Sequence, residues 1–246
     1  MNNKNLLTKN ELNDYKKLLL KKYRKEKREF IIEGKHLIEE ALKNKNLLKK
    51  IITSNYSFEL INKNVDLKYT SFKNICALST TKNPQPYIGI CNFLELKKIQ
   101  EEKILILNKI NDPGNLGTII RTANSFNIKN IIVEGVDIYN PKVIRATQGA
   151  IFNMNIFNVN DLKKEILELK KQNYKIVGSL LDKNSIDYRN LKLDKEKFAL
   201  VLGNEANGIE KNIIELLDYK VYIPIEFDSL NVAIAAAILM AKYYDK

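Results

Sequence analysis

LVLGNEANGI, residues 200–209, decides how the second half of the chain is built. An apolar run enters Gly203, a short polar loop carries Asn204 and Glu205, and Gly208 precedes the next helical pattern. Apolar residues without polar alternation suit a strand covered on both faces, as in a parallel sheet. A glycine directly after such a strand lets a ligand approach the carboxyl edge, where open α/β sheets bind their ligands. An ordinary strand–loop–helix turn explains both glycines. It does not explain the glutamate.

Working outward, ILILNKI (104–110), IIVEG (131–135), IFNV (156–159), YKIVGSL (174–180), FALVLG (198–203) and KVYIPI (220–225) are short apolar runs, with helical patterns between most of them. This alternation predicts a parallel sheet with helices on both faces. The first half reads as a smaller α/β unit. FIIEG and LKKIITS read as strands, KHLIEEALKN as an amphipathic helix and SFELINKN as a short one, and VDLKYTS, FKNICALS and TTKNPQPYIGICNF complete the unit. A leading basic helix is expected over 11–29, anchored by Leu18, Leu19 and Leu20. The expected organisation is a basic N-terminal α/β domain over 1–97, a charged linker over 98–103, and an α/β domain over 104–246.

The charge follows the same division. The chain of 246 residues has a net charge of +12. Residues 1–100 carry 21 Lys and Arg against 10 Asp and Glu; the rest carry 20 against 19. A Lys/Asn/Ile-biased genome would spread such an excess evenly, so its confinement to the front favours a polyanion, with nucleic acid the leading partner. Lys22, Arg24, Lys25, Lys27 and Arg28 form the densest cluster and are the expected RNA contacts. No secretory h-region is seen at the N-terminus, and the apolar run AIAAAILMA (233–241) is too short to span a bilayer. A cytoplasmic protein with reduced thiols is expected. Cys76, Cys91 and the single His36 cannot build a four-ligand zinc site, so no metal is expected. His36 reads as a partly buried structural residue.

Two further stretches carry unusual polar residues. In NDPGNLGTIIRTANSF (111–126), Pro113-Gly114 makes a turn and Asn115 is placed to cap a helix bearing Arg121, one of only five arginines against 36 lysines. In YIPIEFDSLNVAIAAAILMAKYY (222–244), Ser229 is a natural N-cap, while Asn231 in the first turn suits a helix poorly. The small residues Ala233 and Ala235–Ala237 suggest close packing, including at a subunit interface. No phosphate-binding glycine fingerprint is present, which disfavours a nicotinamide dehydrogenase, and neither cysteine has a nucleophile's companions. What remains is chemistry by positioning and electrostatics, using Asn, Arg, Glu and Ser.

Taken in order, NLGTIIRTA, LVLGNEANGI and IPI…SLNVAIAAAI resemble the SpoU/TrmH family of RNA ribose 2′-O-methyltransferases within the SPOUT superfamily. The resemblance covers roughly residues 100–246. It extends more loosely over 15–97, where KYRKEKREFIIEGKHLIEEAL looks like that family's N-terminal substrate-binding domain. It implies a trefoil-knotted parallel-sheet domain, the knot made around residues 200–235, an S-adenosylmethionine cofactor and an obligate homodimer sharing its catalytic surface. Leu202, Gly203, Ile223 and Leu230 are the expected cofactor contacts, with Gly178 and Ser179 near the adenosine. Arg121 corresponds to the arginine at the ribose hydroxyl, oriented by Asn115, and Glu205, Ser229 and Asn231 to the polar set that positions the RNA and the arginine. The family commonly casts that arginine as a general base; a guanidinium rarely releases its proton, so electrostatic stabilisation is the alternative. The loop Glu226-Phe227-Asp228 is shorter than usual for the family and has no glycine. The substrate expected is ribosomal RNA, with 23S rRNA first. A tRNA 2′-O-methyltransferase or a non-catalytic ribosome assembly factor are the alternatives.

Overall fold

A computed structural model describes residues 5–58, 65–99, 102–182, 184–193, 196–226 and 228–243. The first four residues, most of the helix expected over 57–64, residues 100–101 of the linker, Phe227 and Tyr244 lie outside the described residues. The chain forms two compact units: Met1–Glu95 with Asp137–Phe152, and Leu96–Val136 with Asn153–Lys246.

In the first unit, strands β1 (Glu29–Glu33), β2 (Leu48–Thr53), β3 (Asp66–Tyr69) and β4 (Tyr87–Asn92) form a sheet of order β1-β4-β2-β3. β4 runs antiparallel to β1 and β2, and β3 pairs parallel with β2. Leu18, Ile31, Ile52, Ile75, Leu78, Ile88 and Ile90 make one buried cluster. The basic segment is not one helix but two, α1 (Lys9–Lys17) and α2 (Lys21–Lys27). Leu18 must reach the core, where it is fully buried, so the chain leaves helical geometry at Leu18–Leu20 and restarts. The amphipathic pattern of KHLIEEALKN forms α3 (Lys35–Leu42), burying Leu37, Ile38 and Ala41, and FKNICAL forms α4 (Phe72–Leu78).

Asp137–Phe152, which the expected division places with the second half, belongs to this first unit. Its helix α6 (Pro141–Thr147) packs near β1. Asp137 receives the Arg24 guanidinium at 2.6 Å, and Arg145 donates to Glu33 at 3.0 Å. Tyr139 stacks on Phe93 with ring centroids 3.9 Å apart. Buried charges need partners, and here the partners come from a segment distant in sequence.

Among the described residues of the second unit, seven strands are all parallel: β5 (Lys103–Ile110), β6 (Asn130–Gly135), β7 (Asn155–Asn158), β8 (Lys175–Ser179), β9 (Ile186–Asp187), β10 (Phe198–Leu202) and β11 (Tyr219–Tyr222). Their order is β7-β6-β5-β10-β8-β11-β9. Every residue of β10 is buried, as its unbroken apolar run requires. Helix α5 (Pro113–Ser125) packs on β5 and on α9 (Val232–Tyr243). Helix α7 (Leu162–Lys171) lies near β6, β8 and the short α8 (Lys211–Ile214), and Leu162, Ile166 and Leu169 enter a core with Ile106, Ile176 and Val201. The adjacent carboxyl ends of β5, β10, β8 and β11 therefore gather the three polar stretches at one edge.

Candidate active site

Asp112, not Asn115, caps α5, accepting the Asn115 amide at 2.8 Å, and Pro113 enters the first turn. Asn115 therefore sits inside the helix with its side chain released from capping. It donates through Nδ2 to Glu205 Oε1 at 2.8 Å and accepts through Oδ1 from Asn231 Nδ2 at 3.0 Å. Asn231 in turn is the residue that starts α9. Its Oδ1 accepts the Ala233 amide at 2.8 Å and the Ile234 amide at 3.3 Å. The cap expected at Ser229 is thus at Asn231, which explains an asparagine otherwise unsuited to a helix.

The sense of this chain of bonds is fixed. Helix amides can only donate, so Asn231 must present Oδ1 to them and Nδ2 to Asn115. Asn115 must then turn Nδ2 toward Glu205, whose carboxylate terminates the chain as an acceptor.

Glu205 is held by a loop folded against its own strand. Asn204 and Gly208 exchange both backbone bonds at 2.9 Å, and Gly208 has φ +66°. A Cβ on Gly203 would lie 2.1 Å from the Gly208 carbonyl carbon, so only glycine fits there. The close approach that the sequence assigned to a ligand is made first by the protein's own backbone. Likewise, a Cβ on Gly178 would strike Leu217 at 2.3 Å, so that glycine serves core packing.

The remaining expected cofactor contacts share the carboxyl edge. Leu202 and Ser179 end β10 and β8, which are neighbours, and Ile223 follows β11, the next strand. Among the described residues, no hydrogen bond engages the backbone of Gly203, Ile223 or Leu230. Leu230 is 37% exposed. Unpaired backbone groups beside an accessible apolar side chain fit a ligand with an adenine-like polar edge and an apolar face.

Two expected members do not join the bonded set. Arg121 is exposed, and its guanidinium has no hydrogen-bond or ion-pair partner among the described residues; Asn115 does not orient it. Ser229 is exposed and likewise unbonded there. In the first unit, Lys22, Lys25, Lys27 and Arg28 are exposed. Arg24 is a correction: it is 3% exposed, bonded to Asp137 and the Leu18 carbonyl, and is not presented to RNA. His36 is exposed rather than partly buried, its Nε2 3.2 Å from the Gln148 carbonyl. Among the described residues, no cluster of His, Cys, Asp and Glu suits a metal, and no helix is long and apolar enough to cross a membrane.

Known proteins resemble the chain over both units. Residues 102–241 match the SpoU rRNA Methylase family, and residues 9–89 match the MRM3-like substrate binding domain. The 23S rRNA (guanosine(2553)-2′-O)-methyltransferase RlmP of Bacillus subtilis is 35% identical over 94% of each chain. An rRNA methyltransferase from Sinorhizobium meliloti superposes with a TM-score of 0.85 at 29% identity, covering 96% of this chain and 94% of the other. The AdoMet-bound form of that protein gives 0.83 with the same identity and coverage. With both the carboxyl-edge site and the family match in place, the chain belongs to the SpoU rRNA methylase family.

Proposed function

We propose that this protein transfers a methyl group from S-adenosylmethionine to a ribose 2′-hydroxyl of 23S rRNA in the cytoplasm. The observation that carries this reading is the bonded set Glu205–Asn115–Asn231 at the carboxyl edge, beside the backbone of Gly203, Ile223 and Leu230, which has no partner among the described residues. The cofactor, when bound, supplies an electrophilic methyl group. Gly203, Ile223 and Leu230 would hold it through backbone groups, Leu202 and Leu230 would offer apolar contact, and Gly178 and Ser179 at the end of β8 would bound the pocket beside them. Arg121 stabilises the alkoxide that develops as the hydroxyl loses its proton to water or a neighbouring phosphate. The guanidinium stays charged throughout. Ser229 and the bonded asparagines position the ribose.

Support for rRNA over tRNA comes from coverage. RlmP and the S. meliloti rRNA methyltransferase match nearly the whole chain, including the basic first unit. The tRNA modifying enzyme from A. aeolicus covers 58% of it, with a TM-score of 0.54. The exposed Lys22, Lys25, Lys27 and Arg28 supply phosphate contacts.

Two features support a homodimer. Among the described residues the Arg121 guanidinium lacks a partner, as expected where a second copy completes the site. Helix α9 is apolar all round, yet Ile234 is 53% exposed, and Ala237, Ile238 and Ala241 continue its stripe without being fully buried. The test is Arg121→Ala. Turnover should fall by about a hundredfold or more while cofactor affinity stays within roughly threefold. Full activity in this variant would remove Arg121 from the reaction.

A further inference from the structure

We infer that Asn204 is a positioning residue for methyl transfer, setting the Glu205 carboxylate from a fixed point on β5; this rests on the function proposed above. The fixed point is a bulge. β5 shifts register between Asn108 and Ile110, and Lys109 between them adopts φ +54°, a conformation uncommon for a side-chain-bearing residue. The Lys109 carbonyl accepts Asn204 Nδ2 at 2.8 Å.

The bulge is itself pinned from below. Asn108 is fully buried, accepts the Glu210 amide through Oδ1 at 2.9 Å, and donates to the Glu134 and Glu210 carboxylates at 3.1 and 3.2 Å. Both ends of the 204–210 loop are thereby tied to β5.

Asn204 uses every bonding position of its amide. Oδ1 accepts the Ala206 and Asn207 amides at 2.9 and 3.1 Å, which forces Nδ2 to donate. Its two targets are the Lys109 carbonyl and, at 3.4 Å, Glu205 Oε2. Glu205 is consequently held between two asparagines, Asn204 on one oxygen and Asn115 on the other. A carboxylate fixed at both oxygens fixes Asn115, and through it Asn231 at the start of α9. The strut thus carries the geometry of the sheet edge to all three polar stretches without touching substrate itself.

Asn204→Asp separates this role from loop folding. The new carboxylate still accepts the two loop amides but faces the Lys109 carbonyl and Glu205 with an acceptor, repelling both. The variant should keep its melting temperature within about 3 °C and its affinity for S-adenosylmethionine within roughly threefold, while single-turnover methyl transfer slows about tenfold or more. Combined with Glu205→Gln, it should add less than about a twofold loss, because its effect passes through Glu205. Losses that multiply in the double variant, with Glu205→Gln itself impaired, would overturn the positioning role and leave the site assignment standing. A fully active Asn204→Asp would also overturn it. A fully active Glu205→Gln would overturn both, since Asn204 would then have nothing to position.

Discussion

Asn231 does two things with one amide: its oxygen caps α9 and its nitrogen directs Asn115. Asn231→Asp separates them. An aspartate caps as well as asparagine, so thermal stability should be kept, but its second oxygen confronts Asn115 Oδ1. Methyl transfer should drop roughly tenfold or more with the melting temperature little changed; loss of both together would show that Asn231 acts only as a cap. Three residues singled out in the sequence, Asn115, Glu205 and Asn231, do meet in the fold, but Arg121 and Ser229 do not join their bonds, and the bonding itself was not legible. Asn115 and Ser229 both read as caps by local rule, and each is displaced by a neighbour, Asp112 or Asn231. The bond from Asn115 to Glu205 spans 90 positions, a separation no local pattern encodes.

At the scale of elements, the continuous apolar runs located six strands of the parallel sheet to within one residue at each end, except the last, where the expected run to 225 overshoots β11 by three residues because the chain leaves the sheet after Tyr222. The two-residue β9 escaped because Ile186–Asp187 has no pattern to read. The basic helix broke in two because burial of Leu18 overrode its local propensity. Helix α1 also carries a capping box: Thr8 Oγ1 accepts the Glu11 amide and Glu11 Oε2 accepts the Thr8 amide, while Lys50 Nζ donates to Glu11 Oε1 at 2.8 Å. Burial raises the Glu11 pKa, but the Lys50 and Thr8 hydrogen bonds outweigh it and hold the carboxyl down to about 2, from 4.5. A carboxyl depressed in the fold contributes stability above its unfolded value and loses it as pH falls toward the folded one. Wild type should therefore exceed Glu11→Gln in stability by on the order of 1 kcal/mol at neutral pH. That gap should close between about pH 4.5 and 2. A gap that stays constant or widens on acidification would contradict the pairing.

For the whole molecule, the sequence separated a basic front from a neutral back, and the two family matches fall on the same halves. What it did not reveal is the return of Asp137–Phe152 to the first unit. That return brings together the Arg24–Asp137 and Arg145–Glu33 pairs, which join residues 113 and 112 positions apart. Arg24 looked like an RNA contact because charge composition does not distinguish a buried arginine from an exposed one. Asp137→Ala leaves that guanidinium buried and unpaired, and should destabilise the protein by about 3–5 kcal/mol in denaturant unfolding. Replacing Lys25, which is exposed, should change stability by less than about 0.5 kcal/mol. Equal small effects at both positions would place Arg24 back at the surface.

The most direct measurement is transfer of tritium from methyl-labelled S-adenosylmethionine to protein-free large-subunit rRNA, small-subunit rRNA and bulk tRNA in parallel, followed by nuclease mapping. Label on one ribose 2′-oxygen of large-subunit rRNA, and on neither other RNA, is the expected result. Label on a base, on tRNA alone, or on no RNA despite bound cofactor would contradict the assignment.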